Sequence, residues 1–357
     1  MTYLTLSLCI RRCGLLLALG LFTLRPTNAA AQTTADSVAY WTRIMQVGPS
    51  LGARNDALAY LSNIPPRQLP AETQRVLIAE LDRVHRALKA GTDVGAPGEV
   101  PEAFDEYYET LVLVVRTFGT KESALALLSA VAVSSGVSRQ VAQLGDTAVA
   151  LLIEQLHSAT EADEHMGVFQ SLGLAWFWAD STGRPLSDRS RAQITAALTT
   201  GALTGAHGDM LGVDIALEAM RDPAFLPLAQ RLHDFAATQG VLGHSTEVNT
   251  RLDRIPELAA RAASRSTPSL AAGLARIATA VCGNDATGRR QGACQSIKND
   301  VAAASGHLAK GQTTPARKVF ESVGKKIDDA FKAGAFSDAE HALLAGNVAM
   351  VLQRLAP

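Results

Sequence analysis

Between Phe104 and Phe235 the apolar residues recur at steps of three and four, and this spacing constrains the fold more than any other feature of the chain. Phe104, Tyr107, Tyr108, Leu111, Val112, Val115 and Phe118 lie on one face of a single helix. Gly119 can take the left-handed conformation that ends such a helix, and Thr120 can cap the next, whose face carries Ala124, Leu127, Leu128 and Val131. Further stripes follow through Ala148, Leu151 and Leu152 to His157, and then through Val168, Leu172, Ala175, Trp176 and Ala179. Ser187 is positioned to cap a helix reaching Leu203, and Met210, Val213, Leu217 and Met220 mark another. At Arg221-Asp222-Pro223, Asp222 suits the N-cap and Pro223 the first turn, ahead of Phe225, Leu228, Leu232 and Phe235. No alternating β-branched run competes, so the expected fold class is all-α.

The units are short helix pairs recurring at roughly 35 to 45 residues, the signature of a stacked helical repeat. Leu144-Gly145-Asp146-Thr147-Ala148-Val149, leading into Leu151 to Leu156, resembles the second half of a HEAT-type repeat. The junction from Arg221 to Leu228 resembles another. The resemblance spans Asn55 to Phe235 and implies a solenoid, with an irregular helical bundle as the rival arrangement.

The ends of the chain differ from this centre. Arg11 and Arg12, the apolar run Gly14 to Leu24 and the A-x-A site Ala29-Ala30-Ala31 read as a cleavable signal peptide over 1–31. The apolar run is shorter than the ~20 residues a membrane span needs. An uncleaved anchor is the rival reading, and Cys9 after Leu8 and Cys13 after Arg12 do not suit a lipoprotein. The expected location is secreted or periplasmic, without stable membrane insertion after cleavage.

Cleavage would remove three arginines and no acid, leaving 30 basic against 34 acidic residues. That balance offers nothing to the phosphates of nucleic acid, so no nucleic-acid partner is expected. Two cysteines would remain, Cys282 and Cys294, and in an exported chain this parity points to one disulfide. The competing metal reading lacks ligands between them. A helical-repeat array over 32–280, a disulfide-closed loop over 281–296 and a three-helix C-terminal module over 297–357 complete the expected organisation. Proline and glycine breaks at Pro65-Pro66, 91–101 and 240–245 interrupt the array. Leu308-Ala309-Lys310-Gly311, the Ala316 to Val323 helix and the closing apolar helix are similar to FIMAH, a small C-terminal module of secreted bacterial proteins. Ser337 and Glu340 form a capping box at the start of that last helix.

Candidate chemistry is sparse. His157, Glu161, Asp163, Glu164 and His165 cluster at a helix–helix turn, where solvated acids are ordinary. His207, with Gly208, Asp209 and Asp214, is a second cluster, and Asp209 reads most simply as an N-cap. There is no H-E-x-x-H and no G-x-S-x-G, and Gly201, Gly205 and Gly208 do not follow a strand. Trp176, Phe177 and Trp178 could face a sugar or peptide, or form one buried and one half-buried ring. Arg289-Arg290 and Lys325-Lys326 read as solvated surface. No cofactor and no catalytic residue is assigned. The expected function is a binding scaffold for a protein or peptide, of unstated oligomeric state. A helical enzyme with a site near His165 or His207, or envelope attachment through 297–357, are the alternatives.

Overall fold

The computed structural model describes residues 30–48, 50–90, 101–131, 135–238, 255–283 and 288–356. The charged and apolar regions of the expected signal peptide, the loop over 91–100, the break at 240–245 and residues 284–287 of the cysteine loop lie outside the described residues. Among the described residues there is no strand, and the chain is all-α. None of its described helices is long and apolar enough to cross a membrane. The chain divides into two compact units, with the division between Tyr107 and Tyr108.

The first unit contains α1 (Ala30–Val47), α2 (Leu51–Ser62), a 3₁₀ turn (Pro66–Gln68), α3 (Ala71–Lys89) and the start of α4 (Pro101–Arg116). The α1 helix begins well before Val38, where the apolar pattern starts. Leu77, Leu81 and Val84, spaced by four and three along α3, are fully buried. A buried carboxylate ties the unit together. Glu80 accepts two hydrogen bonds from Arg83, each 2.7 Å, and one from the Tyr107 hydroxyl at 2.6 Å, with Arg54 3.5 Å away. Burial first, then the Glu80 charge, pushes the Tyr107 phenol well above its usual range.

The second unit holds the remainder of α4, then α5 (Lys121–Ala126) with a 3₁₀ turn (Leu127–Ala130), α6 (Ser135–Ala142), α7 (Asp146–Ser158), α8 (Ala162–Thr182), α9 (Asp188–Gly201) and α10 (His207–Met220). Thr120 caps α5 in a capping box, and Gly119 takes φ 64° as its position requires. Ser187 caps α9 through the Ser190 amide. The α6 helix has no counterpart in the sequence reading. Its Ser and Gly content suppresses intrinsic helicity, and only tertiary packing of Val137 and Val141, both fully buried, stabilises it.

Helix α8 packs closely against both α6 and α10. Ala162 meets Gly208, Phe169 meets Gly212, and Gly173 meets Ala216. The pairs advance together along both helices, so α8 and α10 run side by side in the same direction. A Cβ at Gly212 would lie 2.6 Å from a Phe169 ring carbon, and one at Gly173 would lie 2.8 Å from the Ala216 Cα. The approach of these backbones therefore requires glycine. Helices α7 and α9 pack together in a second row, joined where the Asp146 carboxylate accepts from the Ser187 amide and hydroxyl, 3.0 Å each.

The chain continues through a 3₁₀ turn (Pro223–Phe225), α11 (Leu226–Thr238), α12 (Ile255–Ser264), α13 (Thr267–Cys282), α14 (Gly288–Ala309), α15 (Thr313–Lys332) and α16 (Asp338–Arg354). Cys282 and Cys294 are joined by a disulfide, with Cα atoms 5.5 Å apart. The expected loop over 281–296 is shorter than the sequence suggests. The α14 helix begins at Gly288, not Ile297, so Cys294 lies on it. Asn347 on α16 donates to the Ala224 carbonyl at 2.6 Å, and Gly346 admits Pro227 of α11. Arg231 on α11 forks onto Asp338 at the start of α16.

Two basic pairs expected on the surface are partly structural. Lys326 bonds Asp300 at 2.6 Å and Ser296 at 2.8 Å, which joins α15 to α14. Arg290 donates to the Val281 and Ala335 carbonyls and takes both oxygens of Glu340, at 2.6 and 3.1 Å. Glu340 completes the capping box with Ser337. Burial pushes the Glu340 carboxyl up, but hydrogen bonds from Arg290 and the Ser337 amide outweigh it and hold the group below its ordinary value near 4.5.

A depressed carboxylate stabilises the fold fully above the unfolded-chain value, and that contribution disappears as pH falls through the folded one. Glu340→Gln should therefore cost about 1–3 kcal/mol at pH 7. The gap to the parent should narrow as pH falls below the carboxyl's ordinary value, as read by urea unfolding at neutral and acid pH; an equal gap at both would refute the charge's role. Gly173→Ala should destabilise by about 1–3 kcal/mol through overpacking, seen as a lowered thermal midpoint with unchanged helical circular dichroism.

Candidate functional site

The sequence-singled histidines do not assemble. His157 is exposed near the end of α7, and His207 is exposed at the start of α10. His165 on α8 is half-buried, with Nδ1 against the Asp209 carboxylate and Nε2 3.2 Å from the Ala159 carbonyl. Asp209 is therefore not the N-cap that its position suggests. Ala206 occupies the cap, and Asp209 sits in the first turn of α10, where its side chain bridges to α8. Among the described residues, no three His, Cys, Asp or Glu side chains gather at metal-binding distance. Of the aromatic triplet, Trp176 is fully buried, while Phe177 and Trp178 are half-buried.

The structure instead gathers chemistry around Asp222, at the corner between α10 and α11. The aspartate caps the following turn, its Oδ1 accepting from the Ala224 amide at 3.0 Å. Its Oδ2 accepts from the Trp176 indole N–H at 3.2 Å and from Arg276 on α13 at 2.9 Å. The carboxylate side chain is only 6% exposed, so burial is compensated by three donors on separate elements. Trp176 in turn carries the Arg191 guanidinium 4.7 Å from its ring centroid and meets Phe225 edge-on at 5.2 Å.

Beside this carboxylate lies a cavity of about 460 Å³. Its walls come from the end of α8, the α10–α11 corner, α12 with the turn after it, α13 and Asn347 of α16. Four arginines line it, Arg221, Arg261, Arg265 and Arg276, against two aspartates, Asp180 and Asp222. Both aspartates are already paired, Asp180 with Arg191 at 2.9 Å and Asp222 with Arg276. Arg261 is paired along its own helix with Glu257 at 2.7 Å. Arg221 and Arg265 hold no acid at ion-pair distance among the described residues. Phe177, Met220 and Leu270 supply apolar wall. The arrangement can hold an anionic group on guanidinium forks against an apolar surface.

Arg221 also has an unusual backbone. It closes α10 with φ 52°, the only non-glycine residue at positive φ among the described residues. Glycine is the ordinary solution at such a position, and a side chain there costs on the order of 1–2 kcal/mol. Its guanidinium lies 5.8 Å from the Phe177 ring centroid, at the cavity wall. The Asp222-Pro223 boundary was legible from sequence. The cavity was not, because Arg221, Arg261, Arg265 and Arg276 share no local motif.

Compared with protein-family models, with curated proteins and with solved structures, the chain matches none.

Asp222→Ala removes a cap and leaves a buried indole N–H without an acceptor. It should cost about 2–4 kcal/mol, while Asp222→Asn, which keeps an oxygen for the indole, should cost less. Urea titration followed by tryptophan emission reads both, and a loss below about 0.5 kcal/mol for the alanine variant would contradict the role given to Asp222.

Proposed function

We propose that this protein is an exported helical scaffold that holds a protein or peptide partner, with the arginine-lined cavity as its principal contact. The observation that carries this reading is the cavity itself. It is framed by several helices, part-apolar and lined by two arginines that hold no acid at ion-pair distance among the described residues. The side-by-side rows α6–α8–α10 and α7–α9 support a HEAT-like stack of helix pairs, in which successive first helices pack on one another. The helices α14 to α16 then read as a terminal module of FIMAH type, docked through Asn347 and Asp338. The Cys282–Cys294 disulfide supports export, because such bonds persist in oxidising compartments. Neither catalysis at His165 or His207 nor attachment through α14–α16 has an observation of comparable weight.

The test is fluorescence anisotropy of the chain from Gln32 onward with labelled, end-capped peptides of varied charge and hydropathy. At least one class should bind saturably, with a dissociation constant below about 1 mM, and unlabelled peptide should displace it. A charge-diverse set with no member binding in that range would sink the reading.

A further inference from the structure

We infer that the cavity is a carboxylate receptor, in which Arg221 and Arg265 take the acidic side chains or terminal carboxylate of a peptide. Only the peptidic nature of the ligand rests on the scaffold reading above; recognition of the carboxylate rests on the cavity alone.

Arg276 and Arg261 are committed to Asp222 and Glu257, and Asp180 to Arg191. Arg221 and Arg265 remain, and each presents a planar fork of N–H donors whose spacing matches the two oxygens of a carboxylate. Neither holds an acid at ion-pair distance among the described residues, so two guanidiniums match two single negative charges. A phosphate would place a concentrated dianion in a cavity that Asp222 and Asp180 also line. The backbone of Arg221 is also unusual for an arginine. Its φ of 52° is a conformation that glycine adopts freely, yet the chain places a long cationic side chain there. Strain retained at a cavity wall is the pattern of a residue kept for what its side chain contacts. On the apolar wall, Phe177, Met220 and Leu270 can cover methylene groups beside the charge, as an aspartyl or glutamyl side chain requires.

The structural and functional roles of Arg221 oppose one another, and this makes the inference testable. Arg221→Gly relieves the backbone and should leave the thermal midpoint unchanged or raised. The same variant should weaken binding of an acetylated, amidated tri-aspartate peptide by at least about tenfold. Arg265→Ala, an exposed position in the turn after α12, should weaken it comparably without loss of stability. Arg317→Ala, which removes an exposed cation from α15 outside the cavity, should have no effect. Binding is read by titrating the Arg Nε–Hε resonances of the full chain with tri-aspartate, tri-asparagine, succinate and inorganic phosphate.

Saturable shifts of Arg221 and Arg265 with tri-aspartate and succinate, but not with tri-asparagine, are the expected result. Equal binding of tri-asparagine would overturn the carboxylate assignment and leave the peptide scaffold standing. Succinate binding without any peptide binding would support the receptor while overturning the scaffold reading. Saturation by phosphate alone, or equal loss in Arg317→Ala, would overturn the inference.

Discussion

The second unit depends on the buried carboxylate of Asp222. A lone ion in that position would be strongly destabilising, yet here it accepts hydrogen bonds from the backbone of its own turn, from Trp176 on α8 and from Arg276 on α13. Each donor lies on a different segment. The charge therefore fixes the relative placement of α8, the α10–α11 corner and α13 more sharply than apolar contact could, because hydrogen bonds are directional and a displaced donor would leave a buried acceptor unsatisfied. The Ala224 carbonyl, one step along the same corner, receives Asn347, which brings α16 to the same point.

Close backbone approach complements that polar centre. Gly173, Gly208 and Gly212 allow α8 and α10 to pack with almost no intervening side chain. The Phe169 ring fills the space beside Gly201 and Gly212 and, like Trp176, is fully buried. A tight pair of this kind leaves little freedom at its C-terminal end, where Met220 finishes α10, Arg221 turns the chain and Asp222 already caps the next segment. Only Arg221 and Asp222 separate α10 from the next helical turn. The cavity opens where this rigid corner, α12 and α13 come together, so its arginines are displayed from elements whose positions are set by the packing beneath them.

Much of the local structure was legible in the sequence. Thr120, Ser187, Asp222 and Ser337 all cap helices, and each has a short-range signature, since a cap and its amide lie within three residues. The disulfide was expected on a different ground, that loss of Cys9 and Cys13 with a signal peptide would leave Cys282 and Cys294 as a pair. The misses share a different cause. The α6 helix has weak intrinsic propensity and exists through packing against α8; the early start of α14 overrides a glycine-rich stretch; and Asp209 turns from the cap position to His165 on another helix. Arg290, read as solvated surface, finds Glu340 fifty residues away.

The sequence by itself determined that this chain is helical, where most of its helices begin and end, and which two cysteines pair. Those properties rest on interactions within a few residues: apolar periodicity, side-chain caps and the scarcity of alternatives. Tertiary structure alone decided which helices lie side by side, that the last three share a core with α11 and α13, and that four arginines scattered between positions 221 and 276 border one cavity beside Asp222. The physical reason is that a site built from single residues on separate helices has no local pattern. Its geometry appears only when burial and hydrogen bonding have selected one packing of those helices.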